Sequence, residues 1–490
     1  VVTKDQAPYK ERVLYVLGGL APEINLRINN ADINTLKTAL LTRMYYCKVG
    51  DDYVAPPVPD RMLLFTRLHD FKHKLQAFHT TPVSLEQVVE MYTGRKKALY
   101  QNALESLSIT PVSKSDAVSV AFVKCEKVKP SGAPRCIQPR DSRYNLSLGA
   151  YIKPIEHRLY KRIKKIYGDG PTVIKGYNVQ QVGRIMVGKW ESFEEPVAIG
   201  LDATKFDMHV SEPMLAWEHS IYNSIYQCKE LETLLKWQMF NVGRGYCDDG
   251  KLRYKVKGRR FSGDMNTALG NCIIMCALIY AYSRERGVPT KLMNNGDDCV
   301  VFMERRHLAA FSAGLDKWFL EMGFRMTVEE PCYELAQIEF CQMHCIRTSN
   351  GPVMVRNIPS SVSKDCMSIV PLDTETAMRK WLGAVGECGE ALTKGVPISQ
   401  EFYRFFSRCG TKGSNIANSV QFRTGIHMLM HDLKMDNSLV DPQSRYDVWR
   451  AWGILPDEQE IIERWYQQAS IEYGTEVHED HTTYPHFEWG

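Results

Sequence analysis

Asp297 and Asp298 are adjacent carboxylates in the stretch Met293-Asn294-Asn295-Gly296-Asp297-Asp298-Cys299-Val300-Val301-Phe302. Neighbouring Asp side chains repel each other, and strands disfavour Asp. A divalent cation would relieve that repulsion. Upstream, Val197-Ala198-Ile199-Gly200-Leu201 is an apolar run ending in Asp202, with Asp207 five positions on. Each of these alone reads as a solvated turn or a turn cap. Brought to one point, Asp202, Asp297 and Asp298 make an oxygen-only site for two hard cations about 4 Å apart, Mg²⁺ with Mn²⁺ able to substitute. The chemistry is phosphoryl transfer. One ion would activate an attacking hydroxyl, and the other would clamp a triphosphate and its leaving pyrophosphate.

Positioning these groups requires a strand, a hairpin and a helix. The apolar flanks of 293–302 predict a β-hairpin, with Gly296 free to take a positive φ in the turn. Residues 197–202 predict a strand with its carboxylate at the end. Ser211-Glu212-Pro213 starts a helix, with Ser as cap, an acid in the first turn and Pro where its missing N–H costs little. Phe261-Ser262-Gly263-Asp264 precedes an apolar helix running to about Tyr282. Thr267 and Asn271 are four apart and share a face of it, a face able to offer hydrogen bonds to a sugar. Gly263 lets the chain approach a ligand closely, and capping by Ser262 or Asp264 is the plainer reading.

Basic residues gather on two ribbons. Lys124, Lys127, Lys129, Arg135, Arg140 and Arg143 alternate with apolar residues across 120–143, where 120–123 reads as a strand. Such a ribbon presents a row of cations suited to a triphosphate or a phosphodiester backbone. Lys251, Arg253, Lys255, Lys257, Arg259 and Arg260 alternate in the same way. The basic knots at 94–97 and 157–165 read as helix ends or solvated faces.

The length of 490 residues sets a prior of two or three subdomains, and the net charge of +4 is too mild to announce a partner by itself. The 14 cysteines are scattered, as expected in a reducing compartment. Cys341, His344 and Cys345 lack the second pair a zinc site needs. No apolar run is long enough to span a bilayer, and no signal peptide is present. The first residues, Val1-Val2, read as those of a fragment or processed product, with any anchor lying upstream. Helices are expected over 83–107 with Ser84 as cap, over 305–322 ending at Gly323, and over 373–387, 398–408, 417–434, 444–452 and 457–471. Strands are expected over 324–328, 338–344 and 353–355, and residues 472–490 should be weakly ordered.

The motifs in order, DxxxxD (Asp202, Asp207), SGxxxTxxxN (Ser262, Gly263, Thr267, Asn271) and GDD (Gly296 to Asp298), resemble motifs A, B and C of viral RNA-dependent RNA polymerases. The wording around them is most similar to the readthrough polymerases of tombusvirus- and carmovirus-like plant viruses. Lys124, Glu126, Arg135 and Ile137 resemble motif F, and Glu339-Phe340-Cys341-Gln342 resembles the motif E primer grip. The resemblance implies an α+β right hand, with an antiparallel palm sheet backed by helices and a mostly helical thumb. Fingers would take 1–195 and 208–260, palm 196–207 and 261–345, thumb and tail 346–490.

It also implies roles. Asp202, Asp297 and Asp298 would bind metal. Asp207, Ser262, Thr267 and Asn271 would read the ribose. Lys124, Lys127 and Arg135 would hold the triphosphate, and Arg140, Arg259, Arg260, Cys341 and Gln342 would meet RNA. Where such polymerases often carry a general-acid Lys, this chain has Gly323-Phe324-Arg325. Arg is a poor proton donor, so Lys317 and Arg325 are both candidates. Implied partners are viral RNA template and product, NTPs, an auxiliary replicase protein and host factors. The implied place is the host cytoplasm, at membrane-bound replication complexes reached through a region absent from this chain. A reverse transcriptase would show an aromatic gate where Asp207 stands. A catalytically inactive RNA-binding scaffold would not need all three metal-binding Asp, and a nuclease would not need the hydroxyl-reading face.

Overall fold

The computed structural model describes residues 1–4, 11–21, 24–168, 170–413 and 429–473. At its centre lies a four-stranded sheet. Lys291–Asn295, Asp298–Glu304, Pro196–Ala203 and Met326–Val328 lie side by side in that order, each pair antiparallel. Asp298 stands opposite Asp202 in the register. Successive strand residues face opposite ways, and here both faces are covered. Val197, Ile199, Leu201, Val301 and Met303 enter one core, and Ala198, Val300 and Phe302 enter another.

The first core is built around helix Thr267–Arg286, in which every residue from Leu269 to Tyr280 is buried. A helix apolar on all sides belongs inside, and Asn271 interrupts it. The second core joins the hairpin Met343–Thr348 and Gly351–Arg356 to helices Val179–Glu191, Glu375–Thr393, Ser399–Cys409 and Pro456–Gln468. Leu17, Leu20 and Ala21 from the start of the chain also enter it. Strand Tyr15–Val16 pairs with Met367–Ser368, and Arg27–Ile28 pairs with Lys127–Val128. The N-terminal segment thus ties the basic ribbon to the C-terminal helices.

A second, five-stranded sheet runs Val2–Thr3, Gly250–Lys257, Phe240–Cys247, Ser119–Val123, Cys136–Ile137. Its inner residues Leu252, Tyr254, Ala121 and Val123 pack with Ile33, Leu36 and Leu40 of helix Ile33–Leu40.

Several expected elements are interrupted. Ser84 caps a helix through a full capping box, but that helix ends at Glu90, and a second, Gly94–Ile109, starts with Gly94 at φ +61°. The helix expected over 305–322 breaks into short turns and Leu315–Glu321, because Gly314 takes φ +72°. The strand expected over 338–344 is a hairpin instead. Glu339–Phe340 turns back on Met343–Thr348 through Cys341 and Gln342, at φ +53° and +60°. Helix Ile358–Asp365 and strand Met367–Ser368 were not foreseen. The helix expected over 417–434 falls mostly outside the described residues, as does the tail from 474.

Two glycines of helix Val179–Glu191 test how closely the cores are packed. A Cβ on Gly183 would stand 2.7 Å from the Pro352 carbonyl oxygen, whereas one on Gly188 would meet nothing within 4 Å. Gly183→Ala should therefore lower unfolding free energy by about 1–3 kcal/mol. Gly188→Ala should raise it by about 0.5–1 kcal/mol. Urea unfolding of both variants checks this, and like effects would contradict the close helix–hairpin approach.

Candidate active site

The turn carrying Asp297 and Asp298 is braced from three sides. Gly296 takes φ +70°, and its N–H donates to Cys272 Sγ at 3.3 Å. Asn294 Nδ2 donates to the Gly296 carbonyl at 2.7 Å and the Asp298 carbonyl at 3.3 Å. The Asn294 backbone bonds to Thr172 and Ile174, which brings Lys175 alongside, its Nζ donating to Asn295 Oδ1 at 2.8 Å. Asn295 Nδ2 in turn donates to Cys341 Sγ at 3.2 Å.

Asp202, Asp297 and Asp298 are all open to solvent. Yet loss of hydration is the main influence on the last two, the condition of a cleft floor. Burial, then Asp297, Asp202, Glu329 and Glu339, pushes the Asp298 carboxyl up to about 6. Asp297 is also raised, by burial and Asp202, with Arg135 and Lys175 opposing. Glu329 rises by burial and its repulsion with Asp202 and Glu339. A side chain on Gly200 would collide with the Glu329 carboxylate, so this strand glycine makes room for a further acid beside Asp202. Among the described residues no three such groups are already closed into an ion cage. The donor set of carboxylate oxygens under mutual repulsion nevertheless fits hard divalent cations.

Beside the carboxylates lies a buried polar network. Asn271 Nδ2 donates to Asp207 Oδ1 at 3.3 Å, and Asn271 Oδ1 accepts from Arg260 Nε at 2.8 Å. Arg260 is fully buried and ion-paired with Glu218. The Glu218 carboxylate also accepts from Tyr222 at 2.8 Å and from Asn266 Nδ2 at 2.9 Å. Burial raises the Glu218 carboxyl, but Arg260, His219 and Tyr222 together outweigh it, leaving it below the usual range. Asp207 is pushed up to about 6 by burial and Asp297, against the pull of Arg260, Asn271 and Arg135. A Cβ at Gly270 would strike both Arg260 and Glu218, so the glycine before Asn271 lets the pair lie against the helix.

The expected cations divide into two groups. Arg135 lies close enough to oppose the raised pKa values of Asp207 and Asp297. It shares Glu126 with Lys124, at 3.4 and 3.0 Å. Lys127 instead donates to the Lys364 carbonyl at 2.6 Å, across to the C-terminal helices. Arg140 is buried against Asp264 at 2.5 Å and donates to Asn241 at 2.8 Å. Arg140 and Arg260 are therefore internal ties, and their expected meeting with RNA does not fit their burial. Arg259 is partly buried, its Nε bonded to the Met44 carbonyl at 2.6 Å.

Gly263 sits against the chain itself, 2.7 Å from Pro139 Cα for a notional Cβ, rather than opening toward a ligand. Asp264 pairs with Arg140 instead of capping. Thr267 Oγ1 donates to the Phe261 carbonyl at 2.6 Å, and Ser262 is exposed. Cys341 and Gln342 form a two-residue turn with positive φ at both positions, conformations that cost energy in non-glycine residues. Lys317 lies exposed on helix Leu315–Glu321. Arg325 lies beside the strand of Asp202, its carbonyl accepting from Thr204 N at 2.9 Å. Lys175, Glu218, Glu329 and Arg43, the last a half-buried cation near Asp207 and Arg135, were not singled out by the sequence. Only Gly200, a glycine inside a strand, hinted at any of them.

The family model described as viral RNA dependent RNA polymerase matches residues 1–474. The chain belongs to that family. It is similar to the RNA-directed RNA polymerase of melon necrotic spot virus, 40% identical over 477 residues, covering 95% of this chain and 60% of that protein. It is 39% identical over 477 residues to that of turnip crinkle virus, covering 95% and 61%, and 38% identical over 483 residues to that of tobacco necrosis virus strain A, covering 96% and 66%. The chain thus spans about three fifths of the length of the first two. Viral RNA-dependent RNA polymerases use divalent metal ions, and the carboxylate cluster suits them.

Two outcomes test this site. In metal-free buffer, Asp298→Asn should stabilise the fold above about pH 6, where the wild-type carboxyl must ionise against its neighbours. The gain should shrink as pH falls from about 6 toward the unfolded-state value near 4 and vanish below it, where both forms are neutral. A melting difference that does not vary with pH would contradict the crowding. Glu218→Gln should cost about 3–5 kcal/mol by stranding the Arg260 charge, with partial recovery in the double variant carrying Arg260→Met. Additive losses in a double-mutant cycle would show the two side chains are not coupled.

Proposed function

We propose that this chain is the catalytic core of an RNA-dependent RNA polymerase. It would add nucleoside monophosphates from NTPs to an RNA 3′-hydroxyl under template direction, replicating a positive-strand viral genome. The observation that carries this reading is the juxtaposition of Asp202 and Asp298 in register, with Asp297 in the turn and the Asp207–Asn271 pair alongside. In this reading 1–195 and 208–260 form the fingers, 196–207 and 261–345 the palm, and 346–490 the thumb and tail.

Asp202, Asp297 and Asp298 would hold two divalent ions, Mg²⁺ or Mn²⁺. When bound, these would lower the pKa of the attacking hydroxyl and neutralise charge on the phosphates. The chain's own groups do the positioning. Arg135 and Lys124 would take the triphosphate, with Lys175 adding positive charge beside the turn. Asn271, held by Arg260, and Asp207 would exchange hydrogen bonds with the ribose 2′-hydroxyl, joined by Thr267 or Ser262. A site built to bond that hydroxyl rejects substrates lacking it, which favours ribonucleotides over the reverse-transcriptase reading. Cys341 and Gln342, in their turn beside Asn295, would meet the product strand. Arg325 would contribute charge rather than a proton, which leaves Lys317, exposed on its helix, as the candidate donor. No helix among the described residues is long and apolar enough to cross a membrane. Association with replication complexes on host membranes, an auxiliary replicase protein and host factors belong to the longer protein in this reading.

The test is primer- and template-dependent incorporation by the purified chain, with ribo- or deoxyribonucleotides and Mg²⁺ or Mn²⁺. Wild type should incorporate ribonucleotides only with metal, and Asp297→Ala should abolish incorporation. Asn271→Ala should lower the preference for ribo- over 2′-deoxynucleotides about 10- to 100-fold, the worth of one or two lost hydrogen bonds. Metal-independent synthesis, or unchanged selectivity in Asn271→Ala, would overturn these assignments.

A further inference from the structure

The outer face of the five-stranded sheet carries a surface that the catalytic site does not use. Alternate residues of strand Gly250–Lys257 point inward, and Lys251, Arg253, Lys255 and Lys257 point to solvent. The neighbouring strand Phe240–Cys247 exposes Phe240, Val242, Arg244 and Tyr246. Cross-strand partners share a face. The register sets Phe240 opposite Lys257, Val242 opposite Lys255, Arg244 opposite Arg253 and Tyr246 opposite Lys251. The parallel strand Ser119–Val123 continues the face with Val120 and Phe122.

Five cations and three aromatic rings therefore lie on one flat face, with Phe240 and Tyr246 about 60% exposed. Successive cations along the strand are spaced by roughly 7 Å. Lys257 pairs with Glu212 at 2.7 Å and lies over the Phe240 ring. Arg244, Lys251, Arg253 and Lys255 have no carboxylate partner among the described residues. The acids Asp248 and Asp249 lie in the turn at one end.

A row of unpaired cations on an exposed face costs stability through self-repulsion unless something anionic covers it. Exposed Phe and Tyr beside them are equally poor surface for water. An anion with flat, apolar rings meets both demands. We propose that this face is a binding platform for single-stranded RNA, outside the catalytic cleft. Phosphates would lie along Lys251, Arg253, Lys255 and Arg244, and unstacked bases would stack on Tyr246, Phe240 and Phe122. The inference goes beyond the polymerase reading and stands on the sheet face alone. A duplex would fit less well, since its bases are already stacked and cannot use the rings.

The test uses the whole chain and a fluorescein-labelled uridine 20-mer, with anisotropy read over a salt series. Lys251→Glu/Arg253→Glu/Lys255→Glu should weaken binding at least tenfold. It should flatten the slope of log affinity against log salt by about two, from some 0.7 per lost phosphate contact. Phe240→Ala/Tyr246→Ala should weaken single-strand binding and leave duplex binding unchanged. Wild-type chain photo-crosslinked to 4-thiouridine RNA should yield adducts within 240–257, a readout that needs no variant to fold. Nucleotide addition to a short preformed primer–template should continue in both variants, so that failure of the platform and failure of the polymerase reading are told apart. Unchanged affinity and slope, or crosslinks only elsewhere, would overturn the proposal. So would equal loss for duplex and single strand in the aromatic variant, which would reduce the face to a plain polyanion patch. Capture of anionic vesicles by the wild type, with RNA affinity unaltered in the charge variant, would assign the face to a membrane instead.

Discussion

The register between Pro196–Ala203 and Asp298–Glu304 is the constraint on which the rest depends. It places Asp202 opposite Asp298, and it cannot slip. An antiparallel sheet often has one solvated face, but here each face has its own core. A shift of one residue would send Val197, Ile199 and Leu201 into the space of Ala198 and Gly200 and expel the helix packing on both sides. The same shift would separate the carboxylates. Stability and site geometry are thus specified by one set of contacts, so the repulsion among the acids can be sustained without loosening the strands that carry them.

The second feature is how deeply the Asp207–Asn271 pair is anchored. Asn271 is not a free amide waiting for a ligand. Arg260 holds its carbonyl oxygen, Glu218 holds Arg260, and Asn266 and Tyr222 hold Glu218. A buried ion pair seldom adds net stability over apolar packing, because desolvation offsets the attraction. Its use here is orientation: with the Asn271 oxygen occupied, its amide nitrogen must face Asp207. Asp207, raised toward 6, can exchange roles between donor and acceptor near neutral pH more readily than an ordinary carboxylate.

The cations show the same division of labour between inside and outside. Arg140 and Arg260 are internal, each spent on a carboxylate. Lys127 joins the basic ribbon to Lys364, beside the strand pairs that fasten the N-terminal segment to the C-terminal helices. Arg135 and Lys175 remain near the acids, Lys124 shares Glu126 with Arg135, and the outer sheet face keeps its own row.

The chain by itself determined the hairpin with its two Asp, the strand ending in Asp202, the Ser211 and Ser84 caps and the alternation of 250–257. All are local, written in periodicity, turn chemistry and capping over fewer than ten residues. Breaks at Gly94 and Gly314 and the turn at Cys341 and Gln342 were less legible, because a positive φ is a local choice that the surrounding packing imposes. The sequence also could not tell Arg140 and Arg260 from Lys251 and Arg253, which look alike in a basic run. Only tertiary structure decided that, by supplying Asp264 and Glu218 from distant segments to pair with the first two and, among the described residues, no carboxylate to pair with the others. It likewise brought Lys175, Glu329 and Glu339 to the turn of Asp297 and Asp298. Charge acts through space, and the distances that govern it are set by packing rather than by position along the chain.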